Sequence, residues 1–203
     1  MNSSITPEEF RDQIGAFEEE LSWANGCWFM FQRLFSDPAD VDRMNASARC
    51  FFLVFQKLLR HEIISSLCRL ADKPTSMGGD ANLTFKRLVT AYKDWATTGG
   101  EEKQHLSEKD LNKALSTIGS HMSALRDMRN ERLSHLDQTK ALDNAQWAIP
   151  LRHIAAVFET LNTYTTYMRL PLFDGVQLEY MDDTCREAPG EILSLLRDRP
   201  QAA

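Results

Sequence analysis

Apolar residues recur at intervals of three and four along most of this chain, and no series of segments alternates as strands do. In the first segment they fall at Phe10, Ile14, Phe17, Leu21, Ala24 and Trp28. That spacing puts all six on one face of an α-helix, a face long enough to demand a core beneath it. Thr6-Pro7-Glu8-Glu9 stands just ahead of the stripe. Thr6 can cap, Pro7 suits the first helical position, and Glu9 can complete a capping box. Gly26 costs about 1 kcal/mol inside such a helix and marks a place for a break or kink.

Ser36-Asp37-Pro38 stops this helix and starts a second, from about Ala39 to Leu70. Its middle, Cys50-Phe51-Phe52-Leu53-Val54-Phe55, is apolar nearly all round, as expected for the central helix of a bundle. Asp72-Lys73-Pro74 ends it, and a loop with Gly78-Gly79 follows. A shorter helix spans Leu83 to Trp95. Ser107-Glu108-Lys109-Asp110 opens a fourth helix that runs towards His135, and the last long helix covers roughly Asn144 to Leu170, with Pro150 near its start or kinking it. Beyond Pro171 the pattern weakens: a turn at Phe173-Asp174-Gly175, a short extended piece from Val176 to Tyr180, and a terminal helix from Pro189 to Leu196. The fold class is all-α, an antiparallel bundle of four to five main helices. Residues 1–170 form the bundle, and residues 171–203 form a C-terminal extension packed on it or trailing from it.

Composition narrows the function. With a net charge of −6 and a pI near 5.4, the chain lacks the basic platform of a duplex-DNA binder. Cys27, Cys50, Cys68 and Cys185 form no CxxC pair, and the first three lie in apolar helical stretches. They read as buried small hydrophobes in a reducing compartment, neither disulfides nor zinc ligands. The N-terminus lacks the basic start and apolar run of a signal peptide, and no stretch reaches the roughly 20 apolar residues of a membrane span. A cytoplasmic location and no membrane partner are expected by elimination.

Chemistry concentrates near the end of the fourth helix. Its stripe, Leu111, Leu115, Ile118, Met122 and Leu125, continues through Met128, Leu133 and Leu136, but Arg129 and Arg132 stand beside it. An arginine at the margin of a core stripe loses hydration unless a carboxylate or a phosphate meets it. Five residues separate Arg129 from His135. At about 100° per residue the two do not share a line on the helix, yet both can flank one groove, most readily where two copies of the helix meet. An imidazole of pKa near 6.5 can take a proton from a ribose 2′-hydroxyl or give one to the leaving oxygen. A guanidinium can hold two phosphate oxygens and offset the charge of the transition state. Asn130 can add a neutral hydrogen bond. On spacing alone, an Arg and a His on one helix more often mark a salt-bridged surface face.

The segment Arg-Asn-Glu-Arg-Leu-Ser-His-Leu-Asp, Arg129 to Asp137, resembles the signature of the HEPN superfamily: an arginine, a polar residue, and a histidine after a short gap. A second stretch, Arg69-Leu70-Ala71-Asp72-Lys73-Pro74 followed by Asn82-Leu83-Thr84-Phe85 and Leu88, resembles the AbiU-like branch, named for a phage abortive-infection protein. The resemblance covers roughly residues 10 to 170. It implies Arg129 and His135 as a catalytic pair with Asn130 in support. It further implies a homodimer whose two motifs line one cleft, metal-independent cleavage of RNA in phage defence or a toxin system, and no cofactor. An antitoxin or another defence-system partner belongs to the same expectation. Other members of the superfamily have lost catalysis and bind RNA or a protein. One toxin group carries a modified tyrosine two residues after the histidine; Asp137 stands there in this chain. Local positive charge from Arg126, Arg129 and Arg132 would guide a phosphate despite the acidic whole.

The remaining candidates are weaker. His61-Glu62 begins like a zincin helix, but Ser65 stands where the second histidine belongs. His105, His121 and His153 are isolated in sequence and read as surface or capped histidines. Trp23, Trp28, Phe29, Phe31 and Phe35 read as core or dimer interface before they read as a base-stacking platform. Asp182-Asp183 and Glu187 form a solvated acidic patch. No metal site is expected.

Overall fold

The computed structural model describes residues 5–72, 82–99, 106–130, 151–172 and 183–197. Arg132, His135, Cys185 (as a side chain), His105, the Gly78-Gly79 loop, the stretch from Asn144 to Pro150 and the expected turn and extended piece between Phe173 and Tyr180 lie outside the described residues.

At the start of α1 (Pro7–Phe35) the expected capping box is closed. The Thr6 N–H donates to Glu9 Oε2 at 2.8 Å and the Glu9 N–H donates to Thr6 Oγ1 at 3.2 Å. These bonds hold the Glu9 carboxyl below its ordinary range and satisfy two of the donors every helix start leaves open. α1 runs unbroken through Gly26. Ala24, Cys27 and Trp28 around it are all buried, and their packing outweighs the propensity cost of one glycine.

Asp37 leads into α2 (Pro38–Ala71), its Oδ1 accepting from the Ala39 N–H at 2.8 Å. α2 is broken at Ala48, whose φ of −158° and ψ of 60° are not helical. Neither glycine nor proline stands beside it, so composition hides the break. α3 (Phe85–Gly99) begins behind Thr84, whose carbonyl accepts from the Leu88 N–H at 2.9 Å. α4 (Glu108–Met128) opens with a second capping box, between Ser107 and Asp110. α5 (Leu151–Arg169) continues into a 3₁₀ turn, Leu170–Leu172. α6 (Asp183–Arg197) starts earlier than the sequence implies and carries Pro189 inside it. Among the described residues there is no strand, and the fold is an all-α helical bundle.

The chain forms two compact units. Met1–Leu21 with Ile64–Gln177 makes one, and Ser22–Ile63 with Leu178–Ala203 makes the other. In the first, α4 packs on α3 and α5, and Leu111, Ile118, Met122 and Leu125 are buried as the stripe requires, with Ala114 in place of Leu115. Phe10, Tyr92 and Trp95 meet with ring centroids 5.4 to 6.0 Å apart, and the Tyr92 hydroxyl accepts from the Leu106 N–H at 3.2 Å. Glu18 and Arg169 lie inside this core, 3.8 Å apart and both buried. Burial pushes the Glu18 carboxyl up to about 7, and the charge of Arg169 offsets only part of that.

In the second unit Leu34, Met44, Phe52 and Leu193 form the core. Asp40, buried, accepts from Arg197 Nη2 at 2.9 Å and pairs with Arg43. The middle of α2 departs from the sequence reading. Phe52 is buried, but Cys50, Phe51, Leu53, Val54 and Leu58 are exposed, Phe51 to 63% and Leu58 to 61%. Only the face carrying Met44, Phe52, Leu59 and Ile63 is buried, so an all-round apolar helix is left half covered. Cys50 is accordingly not the buried hydrophobe its setting implies, whereas Cys27 and Cys68 are.

The raised Glu18 carboxyl has a pH signature. Below about 4.5, its ordinary value, Glu18 is neutral folded or unfolded. As pH rises to about 7 the unfolded chain ionises first, so stability is lost across that window. The loss is on the order of 3 kcal/mol. Glu18→Gln, neutral throughout, should therefore gain stability relative to wild type between pH 4.5 and pH 8 in urea unfolding. A difference that does not change with pH contradicts the assignment.

Candidate functional site

The last turn of α4 carries two arginines at its surface margin. Arg126 and Arg129 follow the buried Leu125, and the backbone at Arg129 is still helical, at φ −58° and ψ −52°. A three-residue offset puts the two side chains on neighbouring positions of one face. Opposite them α2 ends at Ala71, and the next residue is Asp72.

Asp72 bridges the pair. Its Oδ1 accepts from Arg126 Nε at 3.1 Å and its Oδ2 accepts from Arg129 Nη1 at 2.6 Å. Arg126 also donates through Nη2 to the Ala71 carbonyl at 2.6 Å. That carbonyl is one of those a helix end leaves without an intrahelical donor, and it sits at the negative end of the α2 dipole. Arg126 thus caps α2 from another helix. The three side chains are about one-third exposed (34%, 29% and 30% for Arg126, Arg129 and Asp72), so water weakens these pairs without erasing them.

Among the described residues, these two guanidiniums share one carboxylate, two positive charges to one negative. Arg129 Nε donates to Asn130 Oδ1 at 3.2 Å, so Asn130 holds the guanidinium through a second nitrogen. The Asp72 bond pushes the Arg129 guanidinium further up from its ordinary value. Cys68 lies close by, and burial pushes its thiol up to about 11. It is a neutral thiol, without the thiolate a nucleophile needs. Arg69, three residues before Asp72, faces a different helix: its Nη2 donates to Glu20 Oε1 at 2.7 Å and to Ser66 Oγ at 2.8 Å.

The two sequence stretches singled out for their resemblance therefore meet in space, Asp72 from one holding Arg129 from the other, together with Arg126 one turn before it. Sequence reasoning passed over Asp72 as a participant, although it stood inside the quoted pattern. Arg132 and His135 fall outside the described residues. The structure also joins His121 of α4 and His153 of α5, read separately as isolated: their Nδ1 atoms are 2.9 Å apart, and Arg152 Nε donates to His153 Nε2 at 3.3 Å. With Nε2 accepting, the proton of His153 sits on Nδ1 and is donated to His121. Burial and the neighbouring Arg152 charge push His153 below its ordinary value. Thirty-two residues of separation gave no sequence signal for this pair. Among the described residues, no group of three or more His, Cys, Asp or Glu is placed to hold a metal ion, and no helix is long and apolar enough to cross a membrane.

A family model for AbiU2, a HEPN domain, matches residues 7–172. The chain belongs to the AbiU2 family. No curated protein and no solved structure matches it. The AbiU2 match runs from the first residue of α1 to the end of the 3₁₀ turn and stops short of α6. It takes in both Asp72 and the Arg126 to His135 stretch, which makes this chain an abortive-infection-related HEPN module.

The cross-helix cap is open to measurement. Arg126→Ala leaves the Ala71 carbonyl and one Asp72 oxygen without this donor and should cost about 1–2 kcal/mol in denaturant unfolding. Arg126→Lys should not restore it, since an ammonium cannot fork between a carboxylate and a carbonyl as a guanidinium does. Full recovery with lysine would reduce the contact to simple charge pairing.

Proposed function

We propose that this AbiU2-family protein is a metal-independent endoribonuclease of phage defence or a toxin system, working in the cytoplasm as a homodimer. The observation that carries this reading is the arginine pair on Asp72. Arg129 is held by Asp72, shares that carboxylate with Arg126 among the described residues, and lies six residues before His135 in the sequence.

In the reaction His135, as base, takes the proton from a ribose 2′-hydroxyl, and that oxygen attacks the adjacent phosphorus. A bond forms from the 2′-oxygen to phosphorus while the bond to the 5′-oxygen breaks. The leaving oxygen takes up a proton, from His135 of the second copy or from water. The products are a 2′,3′-cyclic phosphate and a 5′-hydroxyl. Arg129 stabilises the charge on the phosphorane oxygens, Asn130 orients Arg129, and Arg126 and Arg132 attract the RNA backbone. Asp72 binds Arg129 through Nη1, and a guanidinium has five N–H donors with which to reach a phosphate as well.

The homodimer is supported by the uncovered face of α2. Phe51, Val54, Phe55 and Leu58 follow helical spacing, and three of the four are exposed. A continuous apolar stripe on one helix is characteristic of an interface. An antitoxin or another defence-system partner is a second occupant compatible with the same face.

A second reading is a non-catalytic HEPN module that binds RNA or a protein. The observation favouring it is that both Arg126 and Arg129 are already paired within the chain, as structural arginines are.

Incubation of a single-stranded RNA with the protein in EDTA separates the two readings. The wild type should leave 2′,3′-cyclic phosphate ends, and His135→Ala or Arg129→Ala should cut at least about 100-fold more slowly. Indistinguishable products from wild type and His135→Ala would rule out the catalytic reading. For the assembly, light scattering should give twice the chain mass of 23.2 kDa, and the double variant Phe51→Asp, Leu58→Asp should be monomeric and folded. A wild-type monomer at high protein concentration contradicts the homodimer.

A further inference from the structure

We infer that Asp72 is a positioning residue for Arg129, because its two oxygens hold Arg129 Nη1 and Arg126 Nε side by side at the end of α2. The inference rests on the endoribonuclease reading and extends it to a residue outside the arginine–histidine motif.

The geometry separates this role from that of a passive counter-charge. Asp72 gives its shorter bond, 2.6 Å, to Arg129, and its second oxygen to Arg126 at 3.1 Å. Arg126 is in turn tied to the Ala71 carbonyl at 2.6 Å, so the carboxylate cannot swing freely towards either arginine. Asn130 Oδ1 receives Arg129 Nε at 3.2 Å. The guanidinium of Arg129 is thereby held at two of its nitrogens, by groups on two different segments. A planar fork with two edges fixed has its remaining edge aimed, and a correctly aimed cation needs no reorganisation when phosphate charge develops.

Electrostatics makes the opposite demand. A carboxylate beside an anion site repels the anion, so removing its charge strengthens phosphate binding. The two effects of Asp72 differ in sign and show up in different constants. Positioning acts on kcat; charge repulsion acts on KM. An Asp72→Asn change keeps the shape and one acceptor oxygen, and replaces the charge and the second acceptor with an amide NH2.

The test is steady-state cleavage of a synthetic single-stranded RNA by wild type, Asp72→Asn, Asp72→Ala and Asp72→Glu, each checked for a folded helical spectrum. Positioning predicts that kcat falls at least about 10-fold in Asp72→Asn and further in Asp72→Ala, with KM unchanged or lower. Asp72→Glu, which keeps a two-oxygen acceptor, should recover part of kcat. A KM effect alone, with kcat intact, overturns the inference and leaves Asp72 as a counter-charge. The guanidinium resonances of Arg129, assigned by their loss in Arg129→Lys, give a readout independent of cleavage. They should be resolved in the wild type, where rotation about the Cζ–N bonds is restrained, and averaged in Asp72→Asn. Should the wild type cut no RNA, the endoribonuclease reading fails on that result. Unchanged Arg129 resonances in Asp72→Asn would then overturn the positioning inference as well, whereas averaged resonances would uphold Asp72 as the residue that orders Arg129.

Discussion

A carboxylate between two guanidiniums is an unbalanced arrangement, and much around the end of α2 follows from the imbalance. Asp72 offers two oxygens, and Arg126 and Arg129 take one each. The surplus charge of Arg126 is absorbed by the Ala71 carbonyl at the negative end of a helix. Among the described residues, another side-chain neighbour of Arg129 is the neutral Asn130 amide. The arrangement is therefore stable as a scaffold and still receptive to an anion at one of its two cations.

Three of the carboxylate–arginine arrangements among the described residues show how differently the same chemistry can be used. Glu18 and Arg169 are buried at 3.8 Å, too far for a good hydrogen bond, and desolvation dominates, so that carboxyl holds its proton near neutral pH. Asp40 is as buried as Glu18, but its hydrogen bonds with Arg197 and Arg43 hold its carboxyl below the ordinary range. Hydrogen bonding decides that contest where mere proximity does not. Asp72 is more exposed than either and serves two partners from separate helix positions. It is the one of the three whose neighbours include the family motif.

Much of the fold was legible from local rules. The Thr6–Glu9 box, the Asp37-Pro38 restart and the Ser107–Asp110 box are all contacts within three residues, and local sequence specifies such contacts well. The core stripes of α1 and α4 were legible for the same reason. What stayed hidden depended on tertiary partners. Phe51, Leu53 and Val54 carry a core composition, and only the packing of the helices reveals that they are exposed. The Ala48 break has no local residue to announce it. Of the site, Arg129 stood out beside an apolar stripe, Asn130 as the polar residue after it and Arg126 as local positive charge, while Asp72 was seen only as part of a pattern. Its role required knowing that the ends of α2 and α4 converge. The His121–His153 pair was invisible for the same reason.

The cap that Arg126 places on Ala71 has a consequence for motion. Helix ends normally fray on their own, turn by turn, because their last carbonyls depend only on local groups and water. Here the last carbonyl of α2 depends on a side chain from α4, and that side chain also holds the carboxylate that restrains Arg129. Opening either helix terminus releases the other, so the two ends share one opening equilibrium. Any ligand that settles on Arg129 would slow amide exchange in the final turn of α2, a place it never touches.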